Sequence, residues 1–289
     1  MDKSVTVKFW QLHPAPDGGV GFGESLRLAF DEPENARFRE LEDVFYQLTG
    51  DSAQKGNTIV GDVIRLQNEG LPSRLKAGGK PRSLTLGVGE YLGYHTGFIF
   101  DVKRSLIGFE IKPAAAGLQK LLGLVGELSK QEPCSPFPVL KQHALNQLAG
   151  TKNGTFQFKI ADPVSLQTVD PDLGSYRDSL VELKEMVDGA YVNVAVGVGP
   201  RKDGLEHKVL RRLVDWFLNE RANNRGKVRS LRVVQPHEQE PILDFIKAQV
   251  KSRATLDIVG DPAKDWLVRL KHLKKALAGA KQHVKPVAE

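Results

Sequence analysis

The chain has 289 residues, 40% of them apolar, and its 41 lysines and arginines outnumber 35 acidic side chains to leave a formal charge of +6. That length is enough to bury a core without staples, and the single Cys134 excludes an intramolecular disulfide or a cysteine-based zinc cluster, pointing to a reducing, cytoplasmic setting. No apolar run reaches the roughly 20 residues needed to span a bilayer, and the start Met-Asp-Lys-Ser lacks a signal-peptide layout, so no transmembrane segment is expected.

In chain order, Val5 to Trp10 alternates apolar and polar residues as a half-buried strand does, and the Gly/Pro-rich stretch from His13 to Gly23 predicts a loop. Between Pro33 and Leu48, Phe38, Leu41, Phe45 and Leu48 recur at three-and-four spacing, which predicts a helix. Thr58 to Leu66 predicts a strand, and Asn68 to Arg82 a loop. The clearest hairpin runs from Tyr94 to Ile111, with Phe98 and Phe100 on one arm, Ile107, Phe109 and Ile111 on the other, and a turn through Lys103 to Ser105. Leu118 to Leu128 predicts an amphipathic helix, broken by the proline-rich segment around Cys134, a loop cysteine expected to be a free thiol.

From Thr155 the rhythm changes to alternating strands and helices. Strands are expected at Phe156–Ile160, Tyr191–Val198, Val228–Val234 and Thr255–Val259, and helices at Ser175–Val187, Leu205–Arg221, Pro241–Lys251 and Pro262–Ala278. The predicted organisation is therefore an α+β N-terminal half with an antiparallel hairpin (1–132), a linker (133–154), and an α/β C-terminal half (155–289).

Charge is segregated along this layout. The segment from Gly199 to Arg232 contains Arg201, Lys202, Lys208, Arg211, Arg212, Arg221, Arg225, Lys227, Arg229 and Arg232 against four carboxylates, as large an excess as that of the whole chain. Residues 264–289 add Lys264, Arg269, Lys271, Lys274, Lys275, Lys281 and Lys285 against Asp265 and Glu289. The helix from Leu205 would bury Val209, Leu210, Leu213, Val214 and Phe217 and leave Lys208, Arg211 and Arg212 outward, with Trp216 close to the cations. The last helix would bury Trp266, Leu267, Leu270, Leu273 and Leu277 opposite Arg269, Lys271, Lys274 and Lys275. Such surfaces suit phosphate contacts made without regard to base sequence. An ordinary solvated helix face with an Arg211–Asp215 pair explains the first helix equally well.

An enzymatic alternative rests on the hairpin. Asp101, then Glu110-Ile111-Lys112, resembles the acid, acid-x-lysine arrangement of the restriction-endonuclease-like nucleases, in which carboxylates hold Mg²⁺ or Mn²⁺ and a lysine assists the attacking water. Asp172 with Glu182-Leu183-Lys184 repeats the spacing, but in a helical pattern. Gly197-Val-Gly-Pro-Arg lacks the glycines of a dinucleotide fingerprint and the Gly-Lys-Ser/Thr of a phosphate loop, the histidines show no zinc-ligand spacing, and no cofactor is expected.

The hairpin Gly97-Phe-Ile-Phe-Asp…Ile107-Gly-Phe-Glu, the helix after it, and then an apolar strand at Tyr191 to Val198 followed by a long Lys/Arg helix resemble the layout of phage-defence proteins of the RexA and KwaB type. That resemblance implies sequence-independent binding of double-stranded DNA by a homodimer or larger homo-oligomer, with sensing of phage activity and growth arrest through an effector partner; the basic amphipathic last helix could also lie on an acidic membrane. It transfers no site residue. A third expectation, from charge alone, is an adaptor whose basic face meets an acidic protein.

Overall fold

The computed structural model describes residues 2–14, 19–51, 57–73, 82–142, 144, 155–166, 171–186, 191–197, 207–222, 227–234 and 241–286. The chain forms two compact units: residues 1–8, 12–135 and 251–289 make the first, and 9–11 with 136–250 make the second. Both mix helices with strands, as the sequence led us to expect, and the sheets are antiparallel in both. Apart from the short excursion at 9–11, the chain passes to the second unit after Ser135 and returns after Val250. Residues 251–289, expected with the C-terminal half, join the first unit, because their strand extends its sheet and their helix is anchored on it.

In the first unit, seven strands lie in the order β12-β1-β6-β5-β4-β3-β2. They are β1 (Asp2–His13), β2 (Phe38–Leu41), β3 (Val44–Asp51), β4 (Thr58–Gln67), β5 (Leu92–Asp101), β6 (Leu106–Ile111) and β12 (Lys251–Asp257). Helices α1 (Phe22–Asp31) and α2 (Leu118–Ser129) pack on each other, and the last helix, α6 (Pro262–Ala280), packs on β5, β6 and β12.

Register decides which helix meets which face. Gly61 pairs with Phe98, and Phe98 with Phe109, so these three share one face. Because strand side chains alternate, Asp62, Gly97 and Glu110 share the other. Phe100 lies on the Phe98 face, where the Phe22 ring of α1 meets it edge-on at 5.1 Å. Arg269 of α6 lies against Gly97 on the opposite face.

The predicted helix over Pro33–Leu48 is a β-hairpin. Glu42 and Asp43 both adopt positive φ (51° and 61°), the conformation a two-residue hairpin turn requires, and Leu41 pairs with Val44 across it. The helical spacing was a coincidence of diagonal pairing: Phe38 stacks on Phe45 at 4.9 Å on one face, while Leu41 and Leu48 point to the other. Arg37 secures the entry to this hairpin by donating to the carbonyls of Phe30 (2.6 Å) and Glu32 (2.7 Å). Helix α1 was missed, since its glycine-bearing first turn reads as loop. Its buried Phe22, Leu26, Ala29 and Phe30 nevertheless carry helical spacing.

In the second unit a four-stranded sheet has the order β11-β10-β8-β9, formed by β8 (Thr155–Ile160), β9 (Val192–Val196), β10 (Val228–Val234) and β11 (Pro241–Asp244). Its ladders are antiparallel, so the strand–helix alternation here does not build parallel crossovers. The short β7 (Ser135–Pro138) leads into this unit. Phe156, Phe158, Ile160, Leu231 and Val233 form one core with residues of α3 (Pro171–Met186), α4 (His207–Ala222) and α5 (Phe245–Ala248). The expected helix over Pro241–Lys251 is instead β11 followed by the single turn of α5. Asp244 accepts from the Lys247 amide at 3.1 Å and so starts that turn only after the strand has paired with β10.

Two glycines separate packing from backbone freedom. A Cβ on Gly61 would stand 2.6 Å from the Phe98 ring, whereas one on Gly279 of α6 would meet nothing within 4 Å. Gly61→Val should therefore lower stability by at least about 1–3 kcal/mol through overpacking. Gly279→Ala should raise it by about 0.5–1 kcal/mol through helix propensity. Urea midpoints of the two variants check both signs.

Candidate functional site

The most unusual chemistry in the described residues is a buried charge cluster in the first unit. Asp62 on β4 and Glu110 on β6 flank Gly97 on the strand between them, and both are buried. Gly97 contributes no side chain, and the space is filled by the guanidinium of Arg269, whose Nη2 would lie 3.0 Å from a Cβ at position 97.

Arg269, 5% exposed, bonds to both acids. Its Nε donates to Glu110 Oε1 and Oε2 at 3.1 and 3.0 Å, its Nη2 to Glu110 Oε2 at 2.7 Å and Asp62 Oδ1 at 2.9 Å, and its Nη1 to Asp62 Oδ2 at 3.3 Å. The remaining acceptor capacity is also used. The Gly97 amide donates to Glu110 Oε2 at 2.9 Å, Lys112 Nζ lies 3.0 Å from the same oxygen, and His95 Nδ1 lies 2.7 Å from Asp62 Oδ2. Lys112 also donates to the His95 carbonyl at 2.8 Å. The indole of Trp266, one turn earlier on α6, has Arg269 over its face at 5.5 Å.

Burial pushes the Asp62 carboxyl up, but its hydrogen bond to His95 and the Arg269 guanidinium outweigh this, leaving it below the ordinary carboxylate range. Arg269 resists the loss of charge that burial favours, because both carboxylates hold its protonated form. Burial draws the Lys112 ammonium down, opposed by Glu110. On α6, His272 is lowered by burial, and its Nε2 is buried without a hydrogen-bond partner among the described residues.

The structure thus brings Glu110 and Lys112 together and separates Asp101 from them. Asp101 pairs with Leu106 on the ladder, four residues along β5 from Gly97 and so about 13 Å away. It caps the turn by accepting from the Arg104 amide at 2.9 Å and binds Lys281 at 2.5 Å. The acid that accompanies Glu110 is Asp62. Its signal in the sequence was a lone aspartate within the apolar run Thr58–Leu66, where an unpaired carboxylate would be costly. The positive charge a divalent ion would bring to these two acids is already supplied by Arg269. Asp172 and Glu182-Leu183-Lys184 lie on α3, a helix as expected.

The basic residues fall into four groups. Arg201, Lys202 and Arg225 lie outside the described residues, as do the side chains of Lys208 and Arg221 on α4. Arg211 pairs with Asp215 at 2.7 Å, the expected i,i+4 contact, but the pair is part-buried rather than on a solvated face. Arg212, Lys227 and Arg229 are exposed in the second unit, and Lys271, Lys274 and Lys275 on α6 in the first. Arg269, expected on the outward face, is the correction: it is buried, since the sheet beneath presents two acids and a glycine gap rather than an apolar surface. Leu267, expected in the buried stripe, is 66% exposed, and the inward face consists of Arg269, His272, Leu273, Ala276, Leu277 and Ala280. Trp216, expected near the cations, is buried and stacks on Phe217 at 4.8 Å.

Comparison of the chain with protein-family models and with curated proteins finds no match. Among the described residues, no helix is long and apolar enough to cross a membrane.

Arg269→Ala removes the shared partner of two buried acids and should cost about 3–5 kcal/mol in urea denaturation. Arg269→Lys should recover little, because one ammonium cannot reproduce the guanidinium's fork. Asp62 has a folded pKa below its unfolded one, so its contribution is present above the unfolded value and is lost as pH falls through the folded one. The stability gap between wild type and Arg269→Ala should therefore narrow below about pH 4. A gap that stays constant down to acid pH would show that Asp62 does not depend on Arg269.

Proposed function

We propose that the protein binds double-stranded DNA through its phosphates, without regard to base sequence, and that the outward face of α6 is a principal contact. The observation that carries this reading is the division of cations on that helix. Arg269 is turned inward and neutralised, while Lys271, Lys274 and Lys275 occupy about a turn and a half of the outward face, exposed and without an ion pair among the described residues. Residues two, five and six positions after Arg269 lie on the far side of a helix with 3.6 residues per turn. Unpaired lysines are the groups that release counterions when they meet a polyphosphate. The exposed Arg212, Lys227 and Arg229 of the second unit supply further cations. The resemblance of the sequence layout to phage-defence proteins of the RexA and KwaB type is the ground for placing this binding in antiviral defence.

Unrelated DNA duplexes should be retarded by the purified protein at low salt, with affinity falling steeply as salt rises. Replacing Lys271, Lys274 and Lys275 together by alanine should weaken binding to all duplexes alike and flatten the log–log salt slope by about 3. No retardation at low salt, or an unchanged slope in the triple variant, would remove the support for this reading. The first result would favour an acidic protein partner.

A further inference from the structure

We infer that the four-stranded sheet of the second unit holds, on the face turned away from its core, the phosphoryl group of a small phosphate-bearing ligand, with Arg232 as the anchor. Strand alternation sends Phe156, Phe158 and Ile160 into the core that α3, α4 and α5 share. Gln157 and Lys159 therefore stand on the opposite face. The ladder sets Gln157 against Arg232 and Lys159 against Ser230, while Leu231 and Val233 on the same strand turn to the core. A guanidinium, an ammonium, an amide and a hydroxyl thus share one half-buried patch. Diagonal neighbours on such a patch lie about 7–8 Å apart, within reach of long side chains.

The cations of this patch lack the partners that a structural role would give them. The Arg232 side chain makes no hydrogen bond or ion pair among the described residues, and its Nε is buried. A buried donor on a charged group is costly to leave without an acceptor, and a ligand oxygen supplies one. Asp244 faces Arg232 across the β10–β11 ladder, yet its carboxylate is committed to α5. It accepts from the Lys247 amide at 3.1 Å and lies 3.8 Å from the Lys247 ammonium. The Lys159 ammonium stands 3.4 Å over the ring of the half-exposed Tyr191, and no carboxylate pairs with it among the described residues. Its flexible stem can carry it from the ring to an anion held beside Arg232.

The donor set selects the chemistry. A guanidinium fork, a lysine, an amide and a hydroxyl offer more donors than a carboxylate can use, whereas a phosphoryl group presents three strong acceptor oxygens. Arg232 and Lys159 together also match the charge of a doubly ionised phosphate monoester. The patch belongs to a different unit from Lys271, Lys274 and Lys275, and it does not depend on their contact with DNA.

Isothermal titration calorimetry of the full chain at low salt tests the inference, with adenosine monophosphate and ribose phosphate as probes. Both should bind, and adenosine should not. Arg232→Gln should raise their dissociation constants at least about tenfold, and Lys159→Gln should weaken binding as well. The first variant removes a buried donor that has no acceptor, so its melting temperature should be unchanged or higher. Loss of the site is thereby distinguished from loss of fold. DNA at the same phosphate concentration, single-stranded or duplex, should not displace the probes. Failure of both probes to bind, adenosine binding as tightly as its phosphate, or an unchanged affinity in Arg232→Gln would each overturn the proposal. Displacement by DNA would overturn it too, by assigning the patch to a nucleic-acid backbone.

Discussion

The first unit depends on one guanidinium shared by two buried carboxylates. Asp62 and Glu110 come from strands on either side of β5, and burying two carboxylates there is costly unless a cation lies beside them. Arg269 supplies it, and the fork of its nitrogens reaches both acids at once. The helix is held by geometry more than by net favourable energy, since taking three charges out of water offsets much of what their attraction returns. What the arrangement secures is specificity: α6 has one register along the sheet and one rotational setting about its own axis.

That setting links the interior to the surface. Once Arg269 points at Gly97, helical periodicity leaves no choice about where Lys271, Lys274 and Lys275 point. Lys281 on Asp101 repeats the device near the helix end, and the Arg104 side chain donates to the Val284 carbonyl at 3.3 Å beyond it. A buried ionic network of this kind resembles a catalytic site in a residue list, because a perturbed carboxylate and a depressed lysine gather in both. Here each partner is saturated by another protein group, which is the mark of a structural anchor.

Much of this was legible in the residues. The Tyr94–Ile111 hairpin, the Leu118 helix and the last helix followed from alternation and helical spacing, and Glu110 with Lys112 stood out as an unusual pair at a strand end. The failures have physical causes. Phe38, Leu41, Phe45 and Leu48 satisfy helical spacing and also a hairpin with a two-residue turn, and only the positive φ of Glu42 and Asp43 decides between them. Arg269 sits in a run of cations whose solvated character is the default expectation, and its burial depends on Asp62, more than 200 positions away. Asp101 takes the place of Asp62 in the sequence reading because hairpin proximity in sequence is visible and register across three strands is not.

The discontinuous make-up of the first unit also governs how the protein is made. Its N-terminal strands leave the ribosome early, with Asp62 and Glu110 still lacking their counter-ion. The intervening second unit, from 136 to 250, is translated before β12 and α6 emerge. The second unit therefore has the opportunity to fold during synthesis, whereas the first must wait in an incomplete state with an open sheet edge and unneutralised acids. Maturation is thus a late, long-range closure, and premature termination anywhere before Arg269 releases a chain whose larger sheet has no means of finishing itself.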